Sequence, residues 1–198
     1  MQRSIIIATK NKGKIREIRH ILRPLKVDVL SLLDLSNVPK IKENGRTFKE
    51  NAIKKARIIC QKVKMLTLAD DSGLEVEALG GKPGIRSARY AGANPTSEKL
   101  CRKLLNDMMG KQNRHARFVC NIAIAIPGKK IKIIEGICRG KITDKMMGGH
   151  GFGYDPVFIP QGYIKTFAQM TLTKKNKISH RSKAFIKAKA FLATFFAS

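Results

Sequence analysis

The chain has 198 residues, enough for one domain whose core needs neither a disulfide nor a structural metal. Its apolar share of 43% is that of a globular protein, and no apolar run reaches the roughly 18–20 residues of a membrane span. The formal net charge of +26 invites polyanions, but the lysines recur in nearly every segment instead of forming a patch, which favours solvated faces over a dedicated nucleic-acid surface.

Ser4 to Ala8 reads as a buried strand, being short, apolar and rich in isoleucine. The polar stretch Thr9-Lys10-Asn11-Lys12-Gly13-Lys14 follows as a loop. A helix is expected over Ile15 to Leu22, with Ile15, Ile18 and Leu22 on one face. Val27 to Leu30 predicts a second strand. Thr47-Phe48-Lys49-Glu50 fits a capping box that starts a helix ending near Val63, with Phe48, Ala52, Ala56 and Ile59 on one stripe. Leu66 to Ala69 and Leu74 to Leu79 read as short strands, and Asp70-Asp71-Ser72-Gly73 between them as an acidic turn.

Gly80 to Gly84 is loop, and a helix is expected near Ser97 to Met109. Arg117 to Ile126 and Ile131 to Ile142 predict a hairpin around Pro127-Gly128, with bends or bulges at Gly136 and Gly140. Gly148 to Asp155 is a glycine-rich loop, and Val157 to Ile159 a short strand. Ser179 is expected to cap a last helix on which Phe185, Ala188, Leu192 and Phe195 share a face. Helices alternate with strands early and a long hairpin follows, so the expected class is α/β with a mixed sheet in a single domain, 1–198.

Cys60, Cys101, Cys120 and Cys138 form no CxxC pair and have no histidine at zinc spacing, so they read as reduced structural thiols. Met1 to Ile7 is too short and too weakly charged for a secretory signal, and a cytoplasmic protein is expected.

Several segments could carry chemistry. A loop that leaves a strand and enters a helix, as Thr9 to Lys14 does, is suited to hold phosphate: the helix start offers free N–H groups, Gly13 allows close approach, and Lys10, Lys12 and Lys14 bring charge. It is not a Walker A loop, which needs glycine where Ala8 stands and Ser or Thr where Ile15 stands. Asp70 and Asp71 are two of only 14 acidic residues, and adjacent carboxylates call for a compensating cation such as magnesium. Glu43 adds a carboxylate before the capped helix, whereas Glu50 serves its capping box. Phe152 in the glycine loop could stack on a base and Asp155 could hydrogen-bond it; His150 is expected to have no role. Lys174 to Arg181 places cations at what reads as a helix start, against the dipole, which makes sense beside an anion or a purine oxygen. The rival reading for each is a solvated loop or charge run.

Taken in order, five blocks, Ala8 to Lys14, Glu43 to Ala52, Ala69 to Leu74, Gly151 to Pro156 and Ile178 to Arg181, closely resemble the inosine triphosphate pyrophosphatase family (the dITP/XTP pyrophosphatases). Pro83-Gly84-Ile85 and Ser87-Ala88-Arg89-Tyr90 are also similar, and the resemblance spans essentially the whole chain. It implies an elongated mixed sheet with flanking helices forming two lobes around a central cleft. It implies a magnesium-dependent homodimer that cuts ITP, dITP or XTP to the monophosphate and pyrophosphate, clearing deaminated purine nucleotides from the precursor pool. By matching positions, Glu43 and Asp71 would bind magnesium and Asp71 would be the proton acceptor. Thr9, Lys10, Asn11, Lys12, Gly13 and Lys14 would hold the triphosphate; Ser72, Phe152, Gly153, Tyr154, Asp155, Lys175, His180 and Arg181 would contact substrate. Neither a specific nucleic acid nor a membrane is expected as a partner. Lys174 stands where many relatives carry an acid, and Asn44 where threonine is commoner. A basic nucleic-acid-binding protein is the rival reading of the charge, but it leaves Asp70-Asp71 without a reason.

Overall fold

The protein is described by a computed structural model covering residues 3–197. β1 (Ser4–Ile7) leads into α1 (Lys12–Leu22), which Asn11 caps: its side-chain oxygen accepts from the Lys14 N–H at 3.0 Å. Lys12, Gly13 and Lys14, expected in a loop, are therefore the first turn of the helix. β2 (Asp28–Ser31) and β3 (Thr67–Val76) both pair with β1 in parallel, and α2 (Phe48–Val63) lies between them in sequence. Thr47 caps α2 by accepting from the Glu50 N–H at 3.1 Å, while Glu50 Oε2 accepts from the Arg46 N–H at 2.8 Å. The return bond of the capping box thus lands one residue early.

The chain continues through α3 (Ser97–Asp107), β4 (His115–Ala125), β5 (Lys132–Ile142), β6 (Phe158–Pro160), α4 (Leu172–Ile178) and α5 (His180–Ala197). The strands form a mixed six-stranded sheet in the order β2-β1-β3-β4-β5-β6, with β5 and β6 antiparallel. The irregularity expected at Gly140 is a close backbone approach: a Cβ there would lie 2.2 Å from the Ile159 carbonyl oxygen. Among the described residues no helix is long and apolar enough to cross a membrane.

Two of the sequence expectations need correction. Asp70 to Gly73 is not a turn; it is the middle of β3, one continuous ten-residue strand. Lys174 and Lys175 are not at the start of the last helix. They belong to α4, capped by Thr171, and Lys175 and Lys177 fall in its last turn. There the helix dipole favours cations, so it carries no argument for an anion at Lys175 and Lys177, whereas His180 and Arg181 do open α5, at the helix start expected for them.

The chain packs as two compact units, one made of residues 3–71, 120–136 and 181–197, the other of 72–119 and 137–180. In the first unit β1 is buried on both faces, as central parallel strands are. Ile5 and Ile7 pack with Ile18 and Leu22 of α1 and with Phe185 and Leu192 of α5. Ile6 and Ala8 pack on the opposite side with Ala52, Ala56 and Ile59 of α2. β3 repeats the alternation, Leu68 going with the α1–α5 side and Ala69 with the α2 side. Each fully buried large side chain here contributes about 1.5–3 kcal/mol relative to exposure. The second unit is built around Leu74, Val76, Leu104, Phe118, Val157, Phe158 and Phe167, with the Phe118 and Phe158 rings edge to face at 4.7 Å.

Candidate active site

The two-residue period of β3 continues through its acidic pair. Asp70 follows Leu68 and points to the α1–α5 side; Asp71 follows Ala69 and points to the α2 side. Adjacent in sequence, the two carboxylates point to opposite faces and make their direct ion pairs with different cations, while Lys14 and Lys55 each act on both charges.

Asp70 is fully buried, and its Oδ2 lies 2.9 Å from Lys14 Nζ and 3.4 Å from both Nε and Nη2 of Arg181. Arg181 Nη1 donates to Glu17 Oε2 at 2.6 Å, so a buried Glu17–Arg181–Asp70 network joins α1, α5 and β3. Burial alone raises the Asp70 pKa; Lys14, Arg181 and Lys55 outweigh it and hold the carboxyl well below the usual carboxylate range. The Arg181 guanidinium loses by burial and gains more from Glu17 and Asp70, which raise its pKa.

Asp71, 8% exposed, accepts at Oδ2 from Asn51 Nδ2 at 3.0 Å. The carboxamide oxygen of Asn51 in turn accepts from the Gly45 N–H at 2.8 Å. A Cβ at Gly45 would sit 2.7 Å from that oxygen, which accounts for glycine two residues after Glu43. Lys55, one helical turn after Asn51 on α2, places Nζ 2.7 Å from Glu43 Oε1, 3.6 Å from Asp71 Oδ1 and 2.8 Å from the Asp70 carbonyl oxygen. Burial raises the Asp71 pKa most, and the Glu43 carboxylate adds to it; Lys55, Lys14 and the Asn51 hydrogen bond only partly offset them. Burial pulls the Lys55 pKa down, but Asp71, Glu43 and Asp70 together raise it above its ordinary value. Asp71 is thus the more basic carboxylate of the pair, as a proton acceptor must be.

Asn51→Ala removes a donor that favours the ionised form of Asp71. The acid limb of the kcat/KM profile of any reaction in which Asp71 accepts the proton is expected to move to higher pH, with turnover at neutral pH lower by about tenfold. A profile that does not move would remove Asn51 from the site.

Glu43 and Asp71 meet at one cationic point although 28 positions separate them in the chain. Among the described residues no group of three or more His, Cys, Asp or Glu side chains is arranged to hold a metal. Two hard carboxylates suit magnesium, which keeps several waters or phosphate oxygens and takes one or two protein carboxylates. At the N-terminus of α1, Thr9 Oγ1 accepts from the Asn11 N–H at 3.1 Å, and no acidic side chain lies in the first turn. Lys10, Asn11 and Lys12 are exposed there, and Lys14 reaches inward to Asp70.

In the second unit, Asp155 is buried against Gly151, whose φ of +79° and lack of a side chain admit the carboxylate: a Cβ would lie 2.0 Å from Oδ2. Asp155 Oδ2 accepts from the Phe152 N–H at 2.9 Å and from Lys175 Nζ at 2.5 Å, and that ammonium stands 5.0 Å from the centre of the Phe152 ring. The Gly153 N–H donates to Ser97 Oγ at 2.8 Å. Tyr154 is buried and its hydroxyl donates to the Ser87 carbonyl at 2.9 Å. His180, also buried, stacks on Phe118 with ring centres 4.6 Å apart. Ser72 is half-buried. The four cysteines are buried free thiols, and burial, with the Asp155 carboxylate, pushes Cys101 up to about 12.

Glu17, Asn51 and Lys55 were not singled out from sequence. Asn51 and Lys55 flank the Ala52 and Ala56 stripe at helical spacing, and a polar pair four residues apart beside small apolar residues is the signal that could have marked them. Glu17, the single acid in α1, offered no such pattern.

Residues 5–191 match the model of the Ham1 family. A dITP/XTP pyrophosphatase of Bacillus licheniformis is 47% identical, over 96% of this chain and 98% of its own length, and one of Bacillus subtilis is 44% identical over 97% and 98%. The Staphylococcus aureus Ham1 protein superposes with a TM-score of 0.86 at 41% identity, over 96% of this chain and 98% of its own. A HAM1 protein from Coxiella burnetii superposes at 0.88 and 36%, over 98% and 100%. With matches this long and this similar in both sequence and fold, the chain belongs to the Ham1 family.

Proposed function

We propose that this protein is a nucleoside-triphosphate pyrophosphatase that hydrolyses ITP, dITP or XTP to the monophosphate and pyrophosphate, removing deaminated purines from the nucleotide pool. The observation that carries the reading is the convergence of Glu43 and Asp71 on one buried cationic point beside Lys14. Full-length relatives bearing the name dITP/XTP pyrophosphatase support it.

In this reading the N-terminus of α1 and the side chains of Lys10, Lys12 and Lys14 bind the polyphosphate, whose charge the helix end and ammonium groups favour. Asp71 accepts the proton of the water that attacks the α-phosphorus, and Asn51 keeps its Oδ2 fixed while it does so. Magnesium held by Glu43 and Asp71 would supply neutralisation of the charge that builds on the phosphate oxygens and leaving group. Ser72, Phe152, Gly153, Tyr154, Asp155, Lys175 and His180 are assigned to substrate by the family resemblance. Arg181 carries the same assignment, but its guanidinium is bound by Glu17 and Asp70. We therefore assign it to holding Asp70, and leave selection at the purine 6-carbonyl to His180 and backbone N–H donors. A site built to pair with a carbonyl rejects the amino group of adenine because buried donors would be left facing a donor. The enzyme is proposed to work as a cytoplasmic homodimer.

The test is a substrate panel with magnesium and identification of the product. ITP and XTP are expected to release pyrophosphate at least about a hundredfold faster than ATP, the discrimination open to a site that pairs with a polar group. Orthophosphate as the product would overturn the reaction, and equal rates on ITP and ATP the specificity.

A further inference from the structure

Buried lysines are rare because stripping water from an ammonium is costly. Lys55, 7% exposed, is held by three oxygens: Glu43 Oε1, the Asp70 carbonyl oxygen and Asp71 Oδ1. Two of these belong to the carboxylates assigned above to the metal. Those carboxylates repel one another unless a cation stands between them. An ammonium and a divalent ion repel as well, so Lys55 cannot keep its place among these oxygens at full strength while a metal uses the same two carboxylates.

We propose that Lys55 is a tethered counter-ion of the metal-free enzyme, a positioning residue that keeps Glu43 and Asp71 together and yields them when the metal arrives. The inference rests on the reading of Glu43 and Asp71 as the metal-holding pair. It has a functional consequence. The lysine weakens metal binding in the free enzyme, and a polyanionic nucleotide restores it by adding negative charge beside Lys14 and Lys55. Metal and nucleotide then favour each other's binding, as reciprocal linkage requires. The enzyme captures the metal–nucleotide complex and holds little bare metal. The two flanking groups on β3 serve the same end: the Asp70 carbonyl fixes the ammonium, and the Asp70 carboxylate keeps Lys14 at hand.

The probe is Mn2+ alone, titrated into the full-length protein without nucleotide and read by electron paramagnetic resonance. Lys55→Met is expected to bind Mn2+ at least tenfold more tightly than wild type. Its thermal midpoint without metal should fall and recover as Mn2+ is added. Lys55→Arg keeps the charge and should bind as weakly as wild type. Unchanged, weaker or undetectable Mn2+ binding by folded Lys55→Met overturns the proposal, as does an arginine variant that binds as tightly as the methionine one. Should Lys55→Met fail to fold, the wild-type Lys55 ammonium 15N resonance decides: it is expected to shift on saturation with Mg2+, and an unmoved resonance overturns the proposal. Pyrophosphate release from ITP by the wild type, measured in parallel, reports on the proposed reaction and not on Lys55.

Discussion

Asp71→Asn is expected to release pyrophosphate from ITP about a thousandfold more slowly than wild type, within the 10²–10⁴ range of a positioned proton acceptor. Asparagine keeps the shape and, with its one oxygen turned to Asn51, still accepts from that donor, while Lys55 keeps Glu43 and the Asp70 carbonyl oxygen, so the fold should survive. Burial already works against the charge of Asp71, as its raised pKa records, and removing that charge relieves a desolvation cost. The thermal midpoint without metal is accordingly expected to stay within a few degrees of wild type. Circular dichroism and a coupled pyrophosphate assay on the same preparation check both halves. A variant retaining more than a tenth of the activity would remove Asp71 from the chemistry. Equal loss of activity and of folded structure would make it a structural residue instead.

What the sequence made legible follows from how far each signal reaches along the chain. The apolar stripes of α1, α2 and α5 are local, and Ile18, Leu22, Ala52, Ala56, Ile59, Phe185 and Leu192 are all buried as their spacing predicts. The caps at Asn11 and Thr47 are local too. β3 was misread because its middle, Asp70 to Gly73, is polar, and polarity within a strand normally marks its end. The partners that make those polar residues tolerable, Lys14, Asn51, Lys55 and Arg181, come from α1, α2 and α5, between 15 and 111 positions away. No window of neighbouring residues contains them. α4 was missed because seven mostly polar residues carry no apolar period, and only its Thr171 cap announced it.

The same distance explains why the pairings within the candidate site are not legible in the sequence. Reading the two aspartates as a repelling pair gave a sound reason to expect a cation, yet the strand separates them and supplies different cations on each face. Lys14 was expected on phosphate and is found on Asp70; Glu43 and Asp71 were expected to share an ion and are found sharing Lys55. Electrostatic need was visible in composition, since 14 acids stand among 40 Lys and Arg, but which lysine answers which carboxylate is a property of the fold alone.

Asp70→Asn is expected to behave in the opposite way to its neighbour and to act on stability. It removes the charge that Arg181 and Lys14 face with no exposed surface around it, and breaking a buried pair on one side costs about 3–5 kcal/mol. For a chain of this length about 2–4 °C accompany each kcal/mol, so the thermal midpoint should fall by roughly 6–20 °C. The pH dependence has a definite sign. The folded pKa of Asp70 lies below its ordinary 3.8, so the folded protein holds its proton less tightly than the unfolded chain does. Its contribution is therefore complete above about pH 4 and is lost as pH falls below that towards the folded pKa. Denaturant unfolding of wild type and variant should differ by a constant amount between pH 5 and 8, and the gap should narrow below about pH 4. Because Glu17 still holds Arg181, the variant is expected to remain folded at 25 °C and to hydrolyse ITP with a raised KM, Lys14 no longer being anchored at the polyphosphate. A variant as stable as wild type at pH 7 would mean that Asp70 contributes nothing to the Glu17–Arg181 network.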